Sequence, residues 1–295
     1  MIQLARAARA VPAIRRFAEH AASAVCAARP GTFWDLRDAF DALLDPLPWA
    51  AFQNAMLCDL ADDVPLADMP EWHWHGVTVC QAPAFSLVLT SAAHSERGTT
   101  TAPRKDGERL ATTLAAPEML AVLSRVPVRV ERYRMAHGAD VDVFDPSLPL
   151  VLEGVESLMP WTRMDADAPR ETFHLVDDDG TAAPTLLTFA ASPQVWQRWE
   201  FERGTGTPLQ PVQTRNEARA LLAILAELAR AGDTAAIPDV RAMLDHPYHQ
   251  VRWEAARCLA TLDGGVGQAA LHMLARDRHP HVAGAAAETL RRMAA

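Results

Sequence analysis

Lysine is all but missing from this chain. Lys105 is the one lysine in 295 residues, so almost all of the basic charge is arginine. With alanine abundant, that bias points to a GC-rich coding sequence rather than to a binding patch. Basic charge is also in deficit as a whole: 28 Lys and Arg stand against 37 Asp and Glu, a formal charge of -9. Such a balance argues against nucleic acid or an anionic membrane as the main partner. Cysteine is scarce, and Cys26, Cys58, Cys80 and Cys258 have no paired spacing. That excludes a zinc knuckle or a disulfide framework and leaves reduced, mostly core thiols. Arg6, Arg9, Arg15 and Arg16 near the start are not followed by the unbroken apolar run of a signal peptide, and no window approaches transmembrane length. A cytoplasmic location is the expectation. There is no Gly-rich phosphate cradle, nucleophile elbow or zincin helix either, and those enzyme classes lose support.

What is present begins with an echo near the C-terminus. Asp245-His-Pro-Tyr-His-Gln-Val251 leads into a helical pattern ending at Leu259, and Asp277-Arg-His-Pro-His-Val282 leads into another ending at Leu290. Val to Val and Leu to Leu are each 31 residues apart, and Leu228 stands a further 31 before Leu259. Ala218, Leu221, Leu222, Leu225 and Leu228 fall at the three-and-four spacing of one helix face. A repeat of this period, with small and apolar residues at helical spacing, predicts stacked helix pairs. The segment resembles HEAT repeats of the short bacterial, phycobilisome-lyase-like kind. The resemblance implies an α-solenoid over 210–295 that holds a protein partner; Ala283, Gly284 and Ala287 on the last helix offer a small-residue face for a partner or a second copy of the chain.

Residues 1–70 read as helical. Phe33, Leu36, Phe40 and Leu43 share a face, as do Trp49, Phe52, Met56 and Leu60 after Pro48. They are expected to pack as cover on the domain that follows. From Trp72 the period changes to that of strands: Val77–Cys80 and Phe85–Thr90 around a turn at Pro83, then 127–135, 141–144, 148–155, 172–176, 185–190 and 195–201. In the last of these, Val195, Gln197, Trp199 and Phe201 alternate onto one side. Residues 108–125 alone read as helix. About eight strands over 71–209 predict a β-sandwich or barrel.

One group here has the composition of a metal site. His73 and His75 are two apart, which on a strand puts both imidazoles on one face. With a hairpin turning at Pro83 and Ala84, His94 or a neighbour lies across from His73, and Glu96 lies two further on. Such donors suit Fe, Zn, Mn or Cu. A His-x-His pair in a β-rich domain resembles the first motif of the cupins, over residues 72–203. The resemblance implies a small barrel with one divalent transition metal, for which His73, His75 and His94 are the ligand candidates. It departs from the cupin pattern in having no Glu within Gly76–Cys80. Arg132 and Arg134 on one strand face are suited to a carboxylate. His246, His249, His279 and His281 fall in equivalent turns of the repeat, where turn and cap duty accounts for them.

The expectation is therefore an α+β multidomain protein: a helical N-terminal segment, a β-rich sandwich or cupin-like barrel that takes a small-molecule or peptide ligand, and a C-terminal α-solenoid. Its expected function is to recruit or steady a protein partner through the repeats. The alternative is a metal-dependent, cupin-like oxygenase or isomerase acting on a small metabolite or peptide.

Overall fold

A computed structural model describes residues 2–25, 30–61, 72–73, 76–91, 110–123, 125–136, 140–176, 184–214, 217–231 and 236–294. The chain is α+β, with helices at the N-terminal end, a sheet-rich middle and helices at the C-terminal end. It divides into two compact units, Met1–Val212 and Gln213–Ala295. Among the described residues no helix is long and apolar enough to cross a membrane.

In the first unit, α1 (Arg6–Ala10), α2 (Pro12–Ala24), α3 (Arg37–Asp41) and α4 (Pro46–Ala61) form one layer, with a 3-10 turn over Pro30–Leu36 before α3. α2 starts at a proline, which costs nothing where no intrahelical N–H bond exists, and buries Ile14, Phe17, Ala18 and Ala21. Phe33, Leu36, Phe40 and Leu43 are all buried, as are Trp49 and Phe52. The Trp49 indole donates to the Leu43 carbonyl at 2.7 Å, so its polar edge is satisfied inside.

These helices cover one face of a seven-stranded antiparallel sheet. Its strands are β1 (Gln3–Leu4), β2 (Trp72–His73), β3 (Gly76–Ala82), β4 (Phe85–Ser91), β6 (Glu118–Val122), β9 (Arg163–Ala166) and β11 (Thr185–Ala191). The main order is β1-β3-β4-β11-β6-β9, with β2 paired to β3. The β3–β4 hairpin turns at Pro83–Ala84, since Ala82 pairs with Phe85. Alternation along β11 sends Leu187 and Phe189 to the helices and Leu186 to the other side. On that other side lies the sheet β10-β7-β8, of β7 (Val128–Met135), β8 (Leu150–Leu158) and β10 (Glu171–Val176). Val128, Val130, Leu158 and Leu175 meet Leu120, Val122, Met164 and Leu186 between the two sheets. A third sheet, β13-β12-β5, comprises β5 (Leu110–Thr112), β12 (Gln197–Glu202) and β13 (Thr207–Gln213). There Trp199 and Phe201 pack with Tyr133, Met135 and Leu150, while the Gln197 amide and the Trp199 indole both donate to the Val141 carbonyl at 2.8 Å.

The expected sandwich or cupin-like barrel is thus corrected to three layers: helices, a seven-stranded sheet, and smaller sheets behind it. A barrel encloses one interior, whereas this large sheet is apolar on both faces because each is covered by a different layer. Its end strands β1 and β9 do not pair with each other among the described residues. Residues 110–112 and 118–122 are strands rather than helix. Being buried on both faces, β6 shows the continuous run of an internal strand and no alternation. Residues 141–144 form a turn, not a strand.

In the second unit the described helices are α5 (Glu217–Arg230), α6 (Ala236–Ala242), α7 (His249–Leu262), α8 (Gly264–Leu274) and α9 (Pro280–Ala294). Asp263 caps α8 by accepting from the Val266 N–H at 2.9 Å. Gly267 lets α7 and α8 close up, because a Cβ there would stand 2.2 Å from the Ala260 Cα. The face of α5 is rotated from expectation: Leu222 and Ala226 are buried, whereas Leu221 and Leu228 are exposed.

The expected HEAT-like α-solenoid is corrected as well, since these few helices do not make a solenoid. The physical reason lies in the joint between the two echoed units. Arg252 on α7 reaches Asp277, just before α9, with two N–H···O bonds of 2.7 and 2.6 Å. Counting 31 residues either way from Arg252 gives Leu221 and Ala283, which cannot repeat the bond. The clip therefore joins one pair of units and does not propagate.

Candidate functional site

The sequence-predicted metal donors are only partly in view. His73 ends β2 and takes Gly76 of β3 as its cross-strand partner, on the edge of β3 that β4 does not use. His75, His94 and Glu96 lie outside the described residues, as does His137. Among the described residues, no group of three or more His, Cys, Asp or Glu is placed to hold a metal ion. His174 is a sheet residue opposite Glu131. Cys80 and Cys258 are buried and Cys58 is exposed; burial pushes the Cys80 thiol up to about 12, which leaves it protonated and unreactive.

Arg132 and Arg134 do hold a carboxylate, and it belongs to the chain itself. Both pair with Glu171 on the neighbouring strand β10, the Arg132 contact at 3.3 Å. Glu171 is buried and also accepts from the Asp167 N–H at 2.8 Å. Arg134 reaches Glu153 at 2.6 Å and Arg132 reaches Glu156 at 3.6 Å, both on β8. A second set ties the helical layer to β9, with Arg37 and Arg163 both on Asp165 at 2.6 and 2.8 Å. These guanidinium groups are engaged internally, so an external acid has to displace a buried partner.

Glu118 escaped the sequence reading. It stands half-buried on β6 between Ala190 of β11 and Ala166 of β9. Burial pushes it up to about 7, against the pull of Arg198. Burial likewise lowers Arg198, and Glu118 and Glu200 oppose that. The one available signal was a lone carboxylate within the apolar run 115–122.

The repeat histidines come together as ring contacts. His249 stacks on His279 with centroids 3.7 Å apart and planes 5° from parallel, and His279 meets His281 edge-on at 5.3 Å. His246 accepts from the Tyr248 N–H through Nδ1 at 3.0 Å, which is turn duty. Burial, then the neighbouring His279, Arg252 and His281, lower His249 to about 4, so it is neutral in the fold near pH 7. Beside it runs the Arg252–Asp277 clip, whose side chains are only 6% and 5% exposed. Burial alone would raise the Asp277 carboxyl, but the Arg252 bonds and the His279 N–H hold it below its ordinary value. Two further Arg252 bonds, to the His246 and Pro247 carbonyls at 2.8 and 2.9 Å, engage the Nη1 donors.

A groove of about 590 Å³ opens on the second unit. Leu222, Ala223 and Ala226 from α5 and Cys258, Ala260 and Thr261 from α7 supply its small and apolar lining, while Arg219, Arg230, Arg257 and Glu254 give it charge. Arg257 is drawn to Glu254 at 3.2 Å, and Arg230 pairs with Glu227. Along α5, Leu221, Ile224 and Leu228 stand 43%, 57% and 45% exposed at helical spacing. No family model matches the chain, and no curated protein matches it.

Proposed function

We propose that this chain is a binding protein whose C-terminal helices capture a protein partner, rather than an enzyme. The groove between α5 and α7 carries the reading: a lining of small and apolar residues, Leu222, Ala223, Ala226, Cys258 and Ala260, beside Arg219, Arg230, Arg257 and Glu254. A small-residue groove rimmed by charge is the kind of surface on which an amphipathic helix lays its apolar face. Arg219, which stands outside the Arg230–Glu227 and Arg257–Glu254 pairs, selects a partner segment with acidic flanks. The internal pairing of Arg132 and Arg134 agrees with this reading, because those residues are occupied and offer no ready acid-binding site.

The test compares the full chain with an Arg219→Glu, Arg257→Glu variant in the groove and with an Ile224→Asp, Leu228→Asp variant on the opposite face of α5 in affinity capture, with cross-linking to locate the bound segment. The expected result is a partner held by the native chain through an acidic amphipathic segment, lost from the groove variant and kept by the opposite-face variant. A partner set identical for all three proteins rejects the groove. Stoichiometric transition metal in the untagged native protein, lost on His73→Ala and His75→Ala substitution, would replace this reading with the metal-dependent enzyme.

A further inference from the structure

We infer that the outer edge of β8 is a self-association surface, pairing antiparallel with β8 of a second copy across a twofold axis at Gly154. A strand at the edge of a packed sheet ordinarily buries alternate residues. In β8 only the terminal Leu150 and Leu158 are buried, and the seven residues between them are all exposed. Val151, Leu152 and Val155 stand 53%, 48% and 46% exposed. The inner edge is paired with β7 along its whole length, from Leu158 opposite Val128 to Leu150 opposite Met135. Among the described residues no backbone hydrogen bond outside that pairing involves Val151–Ser157. A nine-residue strand whose outer edge is unpaired among the described residues, with exposed valines and leucine, is a template for another strand.

The devices that usually blunt such an edge are weak here. The strand has no Lys and no Pro, and its one irregularity is a register shift at Glu153. Its two acidic residues are compensated from behind, Glu153 by Arg134 and Glu156 by Arg132. The edge therefore presents apolar side chains and backbone groups rather than bare negative charge.

Side-chain pattern selects a second copy as the occupant. With the axis at Gly154, Glu153 faces Val155, Leu152 faces Glu156, Val151 faces Ser157 and Leu150 faces Leu158 of the other copy. No carboxylate stands directly opposite another, whereas a parallel in-register arrangement would face Glu153 with Glu153 and Glu156 with Glu156. A residue on a twofold axis must meet its own image, and glycine does so without a clash or a like charge. Nothing in the fold itself asks for that glycine, since a Cβ at Gly154 would meet nothing within 4 Å. Joined in this way, two β10-β7-β8 sheets become one six-stranded sheet. This surface lies in the first unit and is independent of the groove on α5 and α7.

Sedimentation equilibrium of the full chain decides the matter, beside a Leu152→Lys, Val155→Lys variant whose exposed positions leave the monomer fold intact, as checked by its melting curve. The expected result is a native dimer at micromolar concentration and a variant at least tenfold weaker. Register is read separately by Gly154→Cys in a Cys58→Ser background: on the axis, facing Cα atoms come within about 4.5–5.5 Å, inside disulfide range. Oxidation should give a covalent dimer that Ser157→Cys in the same background does not. A native chain that stays monomeric at every concentration overturns the inference, and so does a dimer that survives the paired lysines or fails to cross-link at position 154.

Discussion

The two units of this protein hide different things. In the first, large rings are buried: Phe189 at the centre of the big sheet stacks on Phe33 at 4.9 Å and meets Phe17, Phe85 and Phe40 at 5.1, 5.4 and 6.2 Å. In the second, no Phe, Trp or Tyr ring is buried within α7 to α9 among the described residues: Ala255, Ala256, Ala270 and Ala286 are buried together with Val251, Leu259, Leu271, Leu274 and Val282, and the distinctive buried contact is the Arg252–Asp277 ion pair. A ring cluster is non-directional and holds by area removed from water. The ion pair is directional, and it fixes which helix end meets which. One unit is held by how much it buries, the other by which groups meet.

Substitutions can break that contrast at its strongest points. Phe189→Ala removes the ring shared by four others and is expected to cost about 3–5 kcal/mol, the range for emptying a packed aromatic site. Denaturant unfolding followed by hydrogen exchange in β4, β6 and β11 measures it, and a loss under about 1 kcal/mol would mean that Phe189 is not the hub. Asp277→Ala leaves Arg252 buried without its partner and is expected to cost about 3 kcal/mol, read at α7 and α9. Arg252→Met with Asp277→Leu removes both charges together and should come out near neutral in stability. If the double variant is as damaged as the single one, the clip is not an ion pair set apart from its surroundings, and the contrast fails.

These hubs differ in how far the sequence disclosed them. The helix faces Phe33-Leu36-Phe40-Leu43 and the alternation Gln197-Trp199-Phe201 were legible, because period alone says which side of an element turns inward. Phe189 as their meeting point was not legible, since the order of strands is a long-range fact that no local pattern carries. β10 and β11 follow each other in the chain and yet lie in different sheets. Glu, Met, Leu and Ala in Glu118–Val122 favour helix, and the sheet neighbours β9 and β11 override that weak preference. In the second unit the repeat exposed the echo, but the clip joins residues 25 apart and occurs once, so the period hid it. For the candidate metal donors, the placement of His73 against Gly76 is known, and His75 and His94 lie outside the described residues.

The smallest expected effects are also the most opposed in sign. Glu118, half-buried on β6, is raised from 4.5 to about 7, so the folded first unit holds its proton where the unfolded chain has released it. Its stabilising contribution is complete below pH 4.5 and is lost as pH rises to about 7. His249, the first residue of α7, is lowered from 6.5 to about 4, so the folded second unit refuses a proton that the unfolded chain accepts. Its contribution is complete above pH 6.5 and is lost as pH falls to about 4. Between pH 5.5 and 7 the Glu118 change amounts to about 1–2 kcal/mol, and the His249 change, screened by solvent near the ring, to about 1 kcal/mol. Hydrogen exchange at pH 5.5 and 7 should therefore show β6 better protected at the lower pH and α7 better protected at the higher. Glu118→Gln flattens the first response and His249→Gln the second. Responses of the same sign in the two units would show that neither group governs its own surroundings.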